Sequence, residues 1–239
     1  MTIGMIYLYK TLSLGFAYPN EGNRKMLEGL LSAGGNLPEP EEDLSASLNN
    51  FRDALLATRN RGRDMESEYL RIFDLGKIIS PYETEYLQEK ISRKPFELSD
   101  IAGFYQAFGF DISDGAENRE PVDHIAVELE FMAILAYKEH YAVAHRQDEH
   151  LAVVREAQKK FLHEHLAGWG FFFCSRVQKI ECEAYYKQLG KLLESVLNAE
   201  CEKHGLDISQ YEKEKIFDTN SCVKDDELTC GQQLSAGDN

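Results

Sequence analysis

A histidine and a glutamate on one helical stretch are the residues of this chain best suited to acid–base or metal chemistry. His124 and Glu128 are four positions apart, so their side chains can meet on one helix face. Ile125, Leu129 and Met132 form the centre of an apolar stripe beside them. A carboxylate on an apolar face costs free energy unless it is paired. We expect either an internal His124–Glu128 pair that orients helices, or a binding role in which a partner supplies the basic group.

Two further acids flank that pair and are expected to point away from the apolar stripe. They are Asp123 and Glu130, and Asp123 is also a natural N-cap because its short carboxylate can accept a first-turn N–H. No nucleophile lies near His124 and Glu128 in the sequence. A catalytic dyad is therefore not expected.

The densest cluster of potential metal ligands is His163-Glu-His165. Two positions apart on a helix, the imidazoles diverge by about 200°, so they do not readily hold one metal ion. We expect solvated or capping side chains here and no metal site. The competing class is a helical metal-binding enzyme that uses His124, Glu128, His163 and His165. Trp169, further along, is expected to be a core or groove aromatic.

The segment Pro81-Tyr-Glu-Thr-Glu-Tyr86 has the composition of a helix start. Proline suits a first helical turn, and Glu83 and Glu85 would lie near the positive end of the helix. On this segment alone, the expected structure is a plain helix start with Tyr82 and Tyr86 packed against it.

Sequence motifs of common enzyme classes are absent. The chain contains no phosphate-binding or dinucleotide-binding glycine motif, no G-x-S-x-G, no H-E-x-x-H and no Glu-x-x-His. We therefore expect neither an enzyme nor a resident cofactor.

The charge balance also restricts the partners. The chain has 41 Asp+Glu against 26 Lys+Arg in 239 residues, a formal charge of −15. Nucleic-acid binding needs clustered basic residues, so a nucleic-acid partner is not expected. An acidic surface can steer basic peptides, or it can simply keep the protein soluble.

Cysteine usage and the N-terminus indicate a cytoplasmic protein. The five cysteines are odd in number and form no C-x-x-C, which favours reduced thiols. No Lys or Arg precedes Lys10, no Arg-Arg pair occurs, and no stretch approaches the ~20 apolar residues that span a bilayer. We expect no export signal and no stable membrane insertion.

Apolar residues recur at three- and four-residue spacing, which predicts an all-α fold with about ten helices. Ser99-Asp100 is expected to cap one of them. One domain over residues 1–218 and a disordered polar tail over 219–239 are predicted, as a monomer or a domain-swapped dimer. The predicted helices span 3–17, 23–33, 41–59, 62–74, 82–90, 99–109, 122–145, 148–167, 171–202 and 207–216.

Two segments carry a family resemblance. The first contains Tyr69-Leu-Arg-Ile-Phe73, Pro81-Tyr-Glu-Thr84 and Tyr86, and the second contains Pro121-Val-Asp-His124 and Glu128-Leu-Glu-Phe-Met132. Together they resemble the TorD/DmsD/NarJ family of cytoplasmic chaperones, which mature molybdenum-containing redox enzymes. The segments 12–19 and 161–169 extend this resemblance to about residues 5–200. Thr84 stands where the family usually has Ser, and Val122 separates the proline from the Asp-His pair.

The resemblance implies a TorD-like single domain that binds the leader peptide or the apo form of a catalytic subunit. The client would be a molybdoenzyme of the dimethyl sulfoxide reductase family, and the chaperone would assist cofactor insertion and control export. A reductase for nitrate, an S- or N-oxide or an oxyanion, or a dehydrogenase, all remain open as clients. The implied partner-binding residues are Tyr82, Glu83 and Tyr86 on one wall, Asp123, His124 and Glu128 on the other, and Trp169 as a third contact.

Overall fold

A computed structural model of the chain describes residues 2–33, 42–75, 78–86, 90–111 and 120–213. The predicted tail over 219–239 lies outside these residues. Within them the fold is all-α, as predicted, and no helix has the length and apolar character needed to cross a membrane. The helices are α1 (Thr2–Phe16), α2 (Glu21–Ala33), α3 (Glu42–Ala57), α4 (Gly62–Tyr69), α5 (Lys90–Ala107), α6 (Ile125–Ala144), α7 (Asp148–Phe161), α8 (Ala167–Lys179), α9 (Ala184–His204) and α10 (Ile208–Lys213).

Helix α6 lies at the centre of the core. It packs against α1 and α7, while α9 packs against α1, α3 and α8. Residues on several sides of α6 are fully buried, including Leu129, Phe131, Met132 and Leu135. A helix that is apolar nearly all round must be enclosed by others. Because α6 begins at Ile125, this enclosure fixes the position of the residues that precede it.

Two π-helical turns interrupt the regular helices. Leu70–Asp74 follows α4, where the N–H of Leu75 donates to the carbonyl of Leu70 at 2.7 Å. Leu162–Leu166 joins α7 to α8, where the N–H of Ala167 reaches the carbonyl of Leu162. Such turns insert an extra residue and change which side chains face the core. The second turn carries His165.

Helix α5 corrects two predictions. The sequence predicted helices at 82–90 and 99–109, with a cap at Ser99-Asp100, whereas α5 runs without a break from Lys90 to Ala107. In the described part of the earlier segment, residues 82–86, the helical structure is a 3₁₀ turn, Glu83–Tyr86. Pro95 lies inside α5, and the residues around it are mostly exposed, including the apolar Phe96, so the buried apolar period that reveals a helix is missing there.

The predicted helix at 171–202 is also wrong, because it is divided into α8 and α9. Ile180 adopts an extended backbone (φ −70°, ψ 156°) and ends α8. Two arginines, one before α4 and one in the π-helical turn after it, stabilise the connection between α8 and α9. Arg61 donates two hydrogen bonds to Glu183, at 2.8 and 3.2 Å, and Arg71 donates one to the carbonyl of Glu181 at 2.8 Å. No glycine or proline marks this break in the sequence, since distant contacts produce it.

Candidate functional site

The two segments singled out in the sequence pair through their backbones. The N–H of Ile125 donates to the carbonyl of Pro81, and the N–H of Glu83 donates to the carbonyl of Asp123, both at 2.9 Å. Tyr82 and His124 thereby face each other in an antiparallel bridge. The 3₁₀ turn is thus fastened to the start of α6.

Asp123 supports this pairing from inside the protein. Its side chain is 3% exposed. It accepts a hydrogen bond from the hydroxyl of Thr84 at 2.6 Å, and one from the N–H of Thr84 at 3.4 Å. The predictions that Asp123 faces away and caps α6 are therefore wrong. Glu130 does turn aside and forms an ion pair with Lys10.

His124 is the N-cap of α6. Its Nδ1 accepts a hydrogen bond from the N–H of Ala126 at 3.1 Å, and Nε2 lies 3.2 Å from the hydroxyl of Tyr69. Burial lowers the pKa of His124 to about 3, so the imidazole is neutral. With Nδ1 accepting, Nε2 carries the proton and donates to Tyr69. Of the two alternatives, the internal His124–Glu128 pair is wrong, because His124 has an extended backbone before the helix and does not follow helical spacing.

Glu128 is instead paired with Trp169. The indole Nε1–H donates to Glu128 Oε2 at 3.2 Å. The same indole stacks on Tyr86, with 5.2 Å between ring centroids and 28° between planes. The Tyr86 hydroxyl donates to the carbonyl of Ser80 at 2.6 Å. Trp169 therefore joins the 3₁₀ turn to α6.

Glu128 also forms a carboxyl pair with Glu83. Burial, followed by the charge of Glu83, raises the pKa of Glu128 well above its ordinary value. Burial likewise raises the pKa of Glu83. Neither Glu83 Oε2 nor Glu128 Oε1 receives a hydrogen bond from an N–H or O–H donor in the described part of the chain. Each of these buried carboxyl groups, when charged, therefore disfavours the charged form of the other.

His165 lies on the other side of Glu83. It is 1% exposed, and its Nδ1 lies 3.2 Å from Glu83 Oε1 and 3.6 Å from Glu97 Oε1. Its Nε2 lies 3.3 Å from Asp100 Oδ2. Burial acts to lower the pKa of His165, but its hydrogen bond to Glu83 and the charges of Glu83, Glu97 and Asp100 outweigh burial and raise the pKa.

The expectation that both histidines of the 163–165 cluster are solvated or capping is wrong for His165. His163 diverges from it, as the helical geometry predicted, and its Nδ1 lies 2.7 Å from the hydroxyl of Tyr211. Two groups of side chains in the described residues have ligand atoms close enough for one metal ion. They are Glu83–Glu97–His165 and Asp100–Glu164–His165, and neither contains His124, Glu128 or His163.

The seven predicted partner-binding residues form one connected cluster, which we call the motif cluster: Tyr82, Glu83, Tyr86, Asp123, His124, Glu128 and Trp169. Five of them are buried, and Tyr82 and Tyr86 are partly exposed. Sequence reasoning missed Glu97 and Asp100, since they approach the cluster only through the packing of α5.

The exposed edge of this cluster is acidic and aromatic. The Tyr82 hydroxyl donates to Glu120 Oε2 at 3.5 Å. Burial, then the charges of Glu120, Asp123 and Asp74, raises the pKa of Tyr82 to about 12. Asp74 is exposed, and the adjoining Leu75 is 78% exposed. The edge thus offers carboxylates beside apolar surface.

The part of the chain that carries these motifs matches a known family. The family model of the nitrate reductase delta subunit matches residues 37–175, more than half of the chain. The selenate reductase assembly chaperone protein of Thauera selenatis is 33% identical over 138 residues, covering 56% of this chain and 67% of the relative. The chlorate reductase assembly chaperone protein of Ideonella dechloratans is 33% identical over 140 residues, covering 56% and 69%. The chaperone protein TorD of Histophilus somni is 27% identical over 164 residues, covering 66% and 76%. The resemblance seen in the sequence is thereby confirmed, and the chain belongs to the nitrate reductase delta subunit family, together with the TorD-type assembly chaperones.

Proposed function

We propose that this chain is a cytoplasmic assembly chaperone for the catalytic subunit of a molybdopterin-containing oxidoreductase. It binds the leader peptide or the apo form of that subunit and assists cofactor insertion before export or assembly. The observation that carries this proposal is the coincidence of the family match with the motif cluster. Relatives named as assembly chaperones for selenate, chlorate and perchlorate reductases support a reductase as the client.

The exposed edge of the motif cluster is the proposed leader-binding surface. A leader of the twin-arginine type carries a basic stretch followed by an apolar stretch. Asp74 and Glu120 supply negative charge, while Tyr82 and Leu75 supply apolar contact. Charge complementarity of this kind contributes more to association rate and specificity than to affinity.

The residues that hold the cluster together act as positioning residues in this proposal. Thr84 and Asp123 hold the 3₁₀ turn against α6, and Tyr86 packs on Trp169. Substitution of Asp123 or His124, which are 3% and 0% exposed, would destabilise the fold as well as weaken binding. A direct test must therefore use side chains that reach solvent, namely Asp74, which is exposed, and Glu120, which is 30% exposed.

The test is isothermal titration of the purified full chain with a synthetic leader peptide containing Arg-Arg followed by an apolar stretch. The variant Asp74→Asn/Glu120→Gln removes two exposed-edge charges. We expect its affinity to fall about tenfold, which corresponds to about 1.4 kcal/mol. The matched control is Asp148→Asn/Glu149→Gln, which also removes two negative charges, in this case from the first turn of α7.

The control variant should bind the peptide within about twofold of the unmodified chain. A peptide with Gln-Gln in place of Arg-Arg should bind weakly to all three proteins. Equal affinity of the two variants, with circular dichroism confirming that both are folded, would remove the exposed edge as the leader site.

A further inference from the structure

His165 presents its two ring nitrogens to different surroundings. Nδ1 is 3.2 Å from Glu83 Oε1 in an aligned hydrogen bond. Histidines that coordinate metals commonly donate one ring N–H to a carboxylate, which fixes the tautomer and aims the other nitrogen at the metal. In His165, the nitrogen left over is Nε2.

Nε2 of His165 lies in the interior without a hydrogen-bond partner among the described residues. Asp100 Oδ2 is only 3.3 Å from Nε2, yet it lies off the direction in which Nε2 would form a hydrogen bond, and the two atoms form none. A hydrogen bond would align the oxygen with that direction. Ligands of one metal ion instead converge on a common point from different directions, which leaves their donor atoms close but not aligned.

Glu164 completes this arrangement. One carboxylate oxygen of Glu164, one of Asp100 and a ring nitrogen of His165 all lie within 4.8 Å of one another. The Asp100 side chain is 60% exposed and that of Glu164 is 39% exposed, so an ion could enter from solvent. Lys160 Nζ lies 3.6 Å from Glu164 Oε2, a weak exposed pair that an ion could displace.

We propose that Asp100, Glu164 and Nε2 of His165 form a binding site for a divalent transition-metal ion. Two carboxylates and one imidazole suit Zn²⁺, Co²⁺ or Mn²⁺, with water in the remaining positions. The imidazole ligand disfavours Mg²⁺ and Ca²⁺, which prefer oxygen alone. A bound ion would connect α5 to the π-helical turn that leads to Trp169.

The test is isothermal titration of the chelator-treated full chain with ZnCl₂, with CoCl₂ as a spectroscopic probe. We expect one Zn²⁺ per chain at this site and a rise in Tm with added zinc. The variant Asp100→Asn/Glu164→Gln should bind Zn²⁺ at least about tenfold more weakly. The control Asp148→Asn/Glu149→Gln, with the same change of charge, should bind like the unmodified chain.

The cobalt spectrum distinguishes this site from binding by the cysteines. Nitrogen and oxygen ligands give d–d bands without the charge-transfer band that a thiolate produces. Absence of zinc binding, a thiolate band, or equal affinity in the two double variants would each overturn the proposal. His165→Gln, folded by circular dichroism, provides a second variant that should lose zinc binding. None of these results depends on leader binding.

Discussion

At the scale of single residues, the acids of the motif cluster have two kinds of environment. Glu83 and Glu128 lie in the interior and have raised pKa values, whereas Asp74 is exposed and Glu120 is 30% exposed. A buried carboxyl pair is stable only if one member stays protonated. The interior acids therefore hold the 3₁₀ turn, His165 and Trp169 together, while the outer ones give the surface its charge.

The buried imidazole of His124 predicts a pH dependence of stability. Its pKa is about 3 in the folded state against 6.5 in an exposed imidazole, and burial is the cause. The groups that face it are the hydroxyl of Tyr69, the ring of Tyr82 and Glu120 Oε2 at 3.9 Å. Below about pH 6.5 this imidazole is protonated in the unfolded chain but stays neutral in the folded protein. The free energy of unfolding therefore falls as pH falls.

The variant His124→Asn tests this dependence, because asparagine is a good N-cap and does not titrate. At about pH 7 the unmodified chain should be the more stable, since Asn lacks the contact with Tyr69. The amount by which its free energy of unfolding exceeds that of His124→Asn should fall by about 2 kcal/mol between about pH 7 and about pH 5. Urea unfolding at both values measures this difference. A constant difference would show that His124 does not remain neutral in the fold.

At this scale, the sequence could predict which residues near one another in the chain lie together, but it could not predict contacts between distant residues. The family resemblance selected seven residues that lie together in the structure, whereas helical spacing assigned His124 and Glu128 to each other. That assignment assumed that both are helical, whereas His124 is the cap. The partners of His165 were beyond reach, because Glu97 and Asp100 lie on α5 and no local spacing connects them to the π-helical turn.

At the scale of elements, α5 and the break between α8 and α9 show where the apolar period of the sequence does not predict the bounds of the helices. The apolar period predicts helices that bury one face. The first half of α5 is mostly exposed, and its ion pair Lys94–Glu85 is a surface contact. The break at Ile180 depends on Arg61 and Arg71, more than a hundred positions earlier. Both features require tertiary contacts that a single sequence does not display.

Pro95 offers a test of α5. A proline within a helix removes one backbone hydrogen bond and crowds the preceding turn, at a cost of about 3 kcal/mol in a regular helix interior. Because α5 runs through this position, Pro95→Ala should raise the free energy of unfolding by about 1–3 kcal/mol. Urea unfolding would measure the change. A less stable variant would favour a helix that begins only after Pro95, near Ser99.

At the scale of the whole molecule, fold class and charge were predictable because they depend on composition and period alone. The all-α fold follows from three- and four-residue spacing, and the charge of −15 follows from counting. An acidic protein attracts a basic leader over a distance of about 10 Å at 0.1 M salt. The location of the exposed edge, however, required the pairing of the two segments.

The most direct test of the central claim is the molybdenum content of a client. A molybdoenzyme catalytic subunit from the same organism is produced with and without this chain, and metal per subunit is measured by mass spectrometry. We predict several-fold more molybdenum when the chain is present, a smaller gain with Asp74→Asn/Glu120→Gln, and a full gain with Asp148→Asn/Glu149→Gln. Equal molybdenum content with and without the chain would contradict the assignment of this protein as an assembly chaperone for that subunit.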